Sequence, residues 1–170
     1  MKSYEYCSAI GQDSHRFLTA AEQAANPVRQ LMLAGIALPG ETPLAGNSDA
    51  DAVLHALTNA VSGISGINIL GSRSDMLCLE QGVTDSSVYL REALATLGEW
   101  ELTHISLSVE GKKPHLAKWI DPMKMRLADL TGLSPKDIGL TATSGEGLTA
   151  FGRGEGLQVF CVVTARRYAK

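Results

Sequence analysis

The chain has 170 residues, 45% hydrophobic and 19% charged, with 5% aromatics and a net charge of −3, which suits one globular domain over residues 1–170. The slight negative charge and sparse aromatics exclude a nucleic-acid binder, and no run approaches the roughly 20 apolar residues of a membrane span. The start, "MKSYEYCSAI", lacks a signal-peptide core, and Cys7, Cys78 and Cys161 show no paired spacing, so the expectation is reduced thiols in a cytoplasmic protein with no cysteine zinc site.

In chain order, "SYEYCSAIGQDSHRF" reads as a strand, and "RFLTAAEQAANPV" holds a helical turn that Pro27 stops. "VRQLMLAGIALPG" reads as a strand ending in a turn at Pro39-Gly40. Ser48 is then the expected cap of a helix from Asp49 to about Ile67, with Asp51 in its first turn. "TDSSVYLREALATLGEW" is a second helix with Asp85 as its cap. "ELTHISLSVEG" alternates as a strand, with Leu102, His104, Ser106 and Ser108 on one face and Thr103, Ile105, Leu107 and Val109 on the other. "PHLAKWIDPMKMRLADLTGL" is a third helix with Pro122 as a candidate kink, and "DIGLTAT" and "GLQVFCVVTARRY" are two more strands. The alternation predicts an α/β chain of the α+β type, with one mixed sheet and helices packed on it.

Three segments carry chemistry. In "GQDSHRF", Asp13 and His15 are two residues apart, so a strand points both to one face. On a helical wheel of "SDADAVLHALTNAVSGISGI", Val53, Leu57, Ala60, Ile64 and Ile67 form an apolar stripe, and Asp51, His55, Thr58, Asn59 and Ser62 fall opposite it. His55 there is either a solvated surface histidine or the third ligand to a metal held with Asp13 and His15, with Asp51 orienting its ring. Two imidazoles and a carboxylate leave one coordination position open, as catalytic zinc sites do.

The third segment, "TATSGEGLTAFGRGEG", concentrates hydroxyls and glycines around Glu146 and Arg153. Small residues let backbone amides approach phosphate oxygens, Arg153 can fork onto a phosphate, and Glu146 can hold a hard cation. The alternative is a glycine-rich turn in which Arg153 pairs with Glu155. No G-x-x-x-x-G-K-S/T occurs, so this is not a P-loop.

Taken in order, "DSH", "SDADAVLHAL" and "FGRGEG" resemble the methylerythritol cyclodiphosphate synthase family, which shows D-V-H, H-S-D-G-D-x-x-x-H-A-L and T-T-x-E-x-x-G-F-x-G-R-x-E-G. The resemblance runs nearly end to end. It implies a homotrimer with a sheet toward the threefold axis, helices outside and active sites between subunits. It also implies a substrate, a cytidine diphosphate ester of methylerythritol 2-phosphate, whose 2-phosphate attacks the β-phosphate to form a cyclic diphosphate and release CMP. By the same resemblance, Asp13, His15 and His55 hold a zinc-type ion (zinc or manganese), and Glu146 holds a second, magnesium or manganese. Ser48 matches a serine near the 2-phosphate, and Ala142, Thr143 and Ser144 match residues around the cytidine and its phosphates. Ser48, Thr143, Ser144 and Glu146 are thus the implied catalytic group. Asn68, His115, Phe151 and Arg153 complete the implied substrate contacts.

The chain departs from the family pattern in places. Asn47 replaces the histidine before S-D, Asn68 an aspartate of G-D-I-G, and His115 a lysine of R-P-K-L. Ala150 stands where the family has phenylalanine, with Phe151 one place later. The F-P-D stretch is replaced by "GSRSDML", where Asp75 is the only acid. A diverged homologue that only binds metal and a phosphorylated ligand, and a metal-dependent phosphohydrolase, are the competing readings.

Overall fold

The computed structural model describes residues 3–71, 74 and 76–169. Strand β1 runs Tyr4–Arg16, and the Thr19–Glu22 capping box starts helix α1, Ala20–Ala25. The next segment is two short strands, β2 (Leu31–Leu33) and β3 (Ile36–Leu38), rather than one. Ala34 and Gly35 take left-handed φ values of 55° and 74°, and this reversal turns the expected single strand into a hairpin.

Helix α2 spans Ala52–Ser65 and is capped by Asp51, not Ser48. Ala50 sits at φ 56°, which breaks helical geometry between Ser48 and Asp51 and moves the start three residues past the expected one. Helix α3 (Ser86–Ala95) begins at Asp85 as expected, with the Asp85 carboxylate accepting from Ser87 N at 2.8 Å. Strand β4 is Glu101–Glu110, helix α4 is Ile120–Thr131, and strands β5 (Ile138–Thr143) and β6 (Gly156–Tyr168) close the order. Pro122 lies in the first turn of α4, where its missing N–H costs nothing, so it makes no kink. Residues 114–119, expected in that helix, instead form a loop with a short 3-10 turn over Ala117–Trp119.

The main sheet has the order β1-β6-β4-β5, with β4 and β5 parallel and the other pairs antiparallel. A bulge between Leu102 and His104 moves Leu102 onto the same face as Ile105, Leu107 and Val109. Those side chains and Leu157, Val159, Cys161, Val163 and Ala165 of β6 form the sheet's contribution to the core. The other face of the sheet is uncovered and carries Tyr6, Ile10, Phe160 and Val162, with Ile10 66% exposed.

Helix α2 lies between the sheet and α3, so it is buried nearly all round and not only along the Val53–Leu57 stripe. Its approach to β1 is unusually close. A side chain on Gly11 would run into the Ala56 carbonyl, and one on Gly63 would come 2.8 Å from the Ala9 Cβ. Glycine and alanine at these crossing points let the helix backbone press against the strand. No helix among the described residues is long and apolar enough to cross a membrane.

Candidate active site

The close contact of α2 with β1 brings His55 to the pair on the strand. Asp13 Oδ2 lies 2.9 Å from His15 Nε2 and 3.0 Å from His55 Nδ1, and the two nitrogens are 3.3 Å apart. All three ligand atoms lie within 4.8 Å of one another. Helical pattern alone left His55 between surface and site; the structure buries it to 8% exposure.

The outward ring nitrogens are both engaged. His15 Nδ1 is 2.7 Å from the Ala45 carbonyl, which can only accept, so Nδ1 carries the proton. His55 Nε2 is 2.8 Å from Ser86 Oγ, whose own proton goes to the Asp49 carboxylate. With both outer positions protonated, two ring lone pairs and a carboxylate converge on one point. Neighbouring lone pairs repel unless a proton or a cation sits among them. That is the arrangement a divalent cation requires, with an N,N,O donor set that leaves a position open. Burial opposes charge on Asp13, but its close contacts with the His15 and His55 rings outweigh it and hold Asp13 at about 2. Burial likewise pulls His15 down, yet the hydrogen bond and charge of Asp13 raise it above the usual histidine value.

The Asp51 carboxylate is not a partner of the His55 ring; the two residues meet only through the helix backbone, where His55 N donates to the Asp51 carbonyl at 2.9 Å. Asp51 is fully buried and accepts from Leu54 N at 3.0 Å, Ala34 N at 2.9 Å and Gly35 N at 2.6 Å. Burial raises it to about 6 against those three donors. Its role is to tie the β2–β3 turn to the start of α2. Asp49, Ser86 and the Ala45 carbonyl hold the rings instead, and sequence reasoning missed all three. No sequence signal marked them; in the fold Ser86 has no exposed surface, which is unusual for a serine at a helix start.

Asp13, His15 and His55 open onto a cavity of about 360 Å³, which Asn47, Ser48, Leu70, Ser74 and Cys78 also line. Ser48 thus faces the cluster, although its hydroxyl also accepts from Ala50 N at 3.2 Å. Asn68 is exposed and outside this lining, and Asp75 lies outside the described residues.

A second cavity, of about 150 Å³, lies where β4 and β5 end side by side. It gathers His115, Ala142, Thr143 and Ser144 together with Lys112 and the Gly111 backbone. The glycine-rich loop beside it is tied to Glu110, whose carboxylate accepts from the Thr149 hydroxyl. Glu146 has a left-handed backbone at φ 49°, and its carboxylate accepts from Ser144 Oγ at 2.9 Å. Phe151 is half-buried, and its carbonyl accepts from Lys112 N at 3.0 Å. Arg153 lines neither cavity and pairs with Glu155 at 2.9 Å.

The YgbB family model matches residues 6–166. The chain belongs to the YgbB family. Among its relatives are proteins named 2-C-methyl-D-erythritol 2,4-cyclodiphosphate synthase. That of Chlamydia trachomatis serovar L2b (strain UCH-1/proctitis) is 41% identical over 97% of this chain and 90% of its own length. That of Chlamydia felis (strain Fe/C-56) is 42% identical over 96% of this chain and 90% of its own. The bifunctional IspDF of Campylobacter jejuni superposes with a TM-score of 0.84 at 27% identity, covering 99% of this chain, which spans 44% of that longer one. A solved 2C-methyl-D-erythritol-2,4-cyclodiphosphate synthase matches with a TM-score of 0.77 at 29% identity, covering 94% of this chain and 99% of that one; a CDP-bound form gives 0.75. For this YgbB chain, the ordered motifs and the geometry of the cluster therefore point the same way.

Proposed function

We propose that this chain closes the ring of methylerythritol 2,4-cyclodiphosphate from cytidine diphosphate methylerythritol 2-phosphate, releasing CMP, as a phosphorus–oxygen lyase of non-mevalonate isoprenoid biosynthesis in the cytoplasm. The observation that carries this reading is the convergence of Asp13, His15 and His55 with both outer ring nitrogens already occupied, in a member of the YgbB family. In the reaction, an oxygen of the 2-phosphate bonds to the β-phosphorus, and the bond from that phosphorus to the CMP oxygen breaks. No water is consumed.

Asp13, His15 and His55 would hold a zinc-type cation, zinc or manganese, and Glu146 a second ion, magnesium or manganese, once its carboxylate leaves Ser144. Such cations neutralise the repulsion between phosphates. Ser48 on the cavity wall can donate to the attacking phosphate. Ala142, Thr143 and Ser144 offer small and hydroxyl-bearing surfaces to the cytidine end, with His115 and Lys112 beside them. Phe151 backs this loop through its carbonyl.

The reading includes a homotrimer. His15 and Thr143 end opposite edges of the four-stranded sheet, three strand spacings or about 14 Å apart. A cluster and a nucleotide pocket so separated are best united by a neighbouring copy. The uncovered sheet face with Tyr6, Ile10, Phe160 and Val162 offers apolar area for that contact.

Incubation with the cytidylylated substrate and magnesium tests the reading. CMP with a cyclic diphosphate is the expected result. CMP with a linear product would make the protein a phosphohydrolase, and binding without turnover a diverged binding homologue.

A further inference from the structure

We propose that Ser86 and Asp49 form a relay that fixes which nitrogen of His55 carries its proton, making Ser86 a positioning residue for the cluster. The chain of contacts runs from the loop before α2, through the first residue of α3, to the ligand on α2. Asp49 Oδ2 accepts from Ser86 N at 3.1 Å, and Asp49 Oδ1 accepts from Asp51 N at 3.2 Å and from Ser86 Oγ. These contacts fix the carboxylate in place. A carboxylate only accepts, and a serine hydroxyl has one proton, so that proton points at Asp49. Ser86 Oγ then has only lone pairs to offer at 2.8 Å from His55 Nε2, and Nε2 must donate. Neutral imidazole carries one N–H, so Nδ1 is left as the lone pair that faces Asp13 and His15.

Burial makes this selection strict. Ser86 has no exposed surface and His55 only 8%, so water is poorly placed to replace the hydroxyl. The relay also ties the orientation of His55 to α3, an element that supplies no ligand. His15 has an equivalent anchor in the Ala45 carbonyl, but a backbone acceptor cannot be removed by substitution. Ser86 is therefore the place where ring orientation can be altered while all three ligands remain.

The inference rests on the metal reading for its purpose, but its first test needs no metal. Nitrogen-15 shifts of the imidazole in the chelated protein, at a pH where His55 is neutral, should show the Nε2–H form. The Nδ1–H form as the main species would overturn the proposal. Ser86→Ala should give a mixture of forms and weaken zinc about ten- to a hundredfold in a chelator competition. Ser86→Thr, which keeps the hydroxyl, should restore the Nε2–H form and most of the affinity. Unchanged tautomer and affinity in Ser86→Ala would overturn the relay, as would equal losses in both variants, since packing and not the hydroxyl would then be the cause. If the wild type shows the Nε2–H form and binds no zinc, the relay stands and the metal reading fails.

Discussion

The two ends of the proposed site are built by opposite means. The cluster of Asp13, His15 and His55 stands on a strand and a helix, and each imidazole has a defined partner on both nitrogens. The pocket of His115, Ala142, Thr143 and Ser144 stands on strand ends and a glycine-rich loop; its hydroxyls are exposed and Glu146 is folded back on Ser144. One end is preorganised before anything binds; the other has to complete itself around a ligand. A metal's coordination geometry tolerates little error, whereas a nucleotide can be met by adaptable loops.

The largest test of that contrast is to lift the helix off the strand. Gly11→Val places a branched side chain against the Ala56 carbonyl, and neither backbone can yield cheaply. It should cost at least about 3 kcal/mol, seen in denaturant melts, and abolish zinc binding. Gly147→Ala in the loop is the counterpart. Its backbone is left-handed at φ 76°, but no atom lies within 4 Å of an added Cβ, so it should cost about 1 kcal/mol and leave zinc unaffected.

Next, His55→Ala should weaken zinc by more than about a hundredfold, or about 2.7 kcal/mol, as measured by metal analysis and chelator competition. CMP binding, followed by calorimetry without metal, should change less than about twofold. Comparable losses in both would mean that the ends are not independent.

Stability of the chelated protein should depend on pH with a maximum near about 4. Asp13 is lowered from 3.8 to about 2, so its stabilisation is complete above 3.8 and is lost as pH falls toward 2, by about 2 kcal/mol. Asp51 is raised from 3.8 to about 6, so stability declines as pH rises through that window. His15 is raised above 6.5, so its contribution is full below 6.5 and is lost as pH rises through its folded value. Thermal melts across pH should show both flanks. His15→Ala should flatten the alkaline flank and leave the Asp51 slope.

The smallest effect belongs to the loop end. His115→Lys should tighten CMP a few-fold at neutral pH, because an ammonium beside the phosphates carries a full charge. Zinc affinity should not move. No change in CMP affinity would mean that the side chain at position 115 faces solvent and not phosphate.

The sequence by itself determined the elements that local chemistry dictates. The D-x-H spacing on a strand, the Asp85 cap, the helical turn before Pro27 and the strand over "GLQVFCVVTARRY" all follow from neighbours within a few residues, and each stands in the structure. The ordered motifs likewise pointed to the family, since they record residue types and not contacts. Tertiary structure decided everything that depends on distant partners. The left-handed Ala50 moved the cap of α2 from Ser48 to Asp51, and the turn at Ala34-Gly35 split one strand into two. A bulge turned Leu102 inward, and the apposition of Gly11 and Ala56 buried a helix whose wheel had looked amphipathic. Asp49 and Ser86, 37 residues apart, became partners, and Ser86 reached His55, only when α3 packed beside α2. A hydrogen bond is read from sequence when both ends share one turn of chain. When folding must first bring them together, only the packed structure shows it.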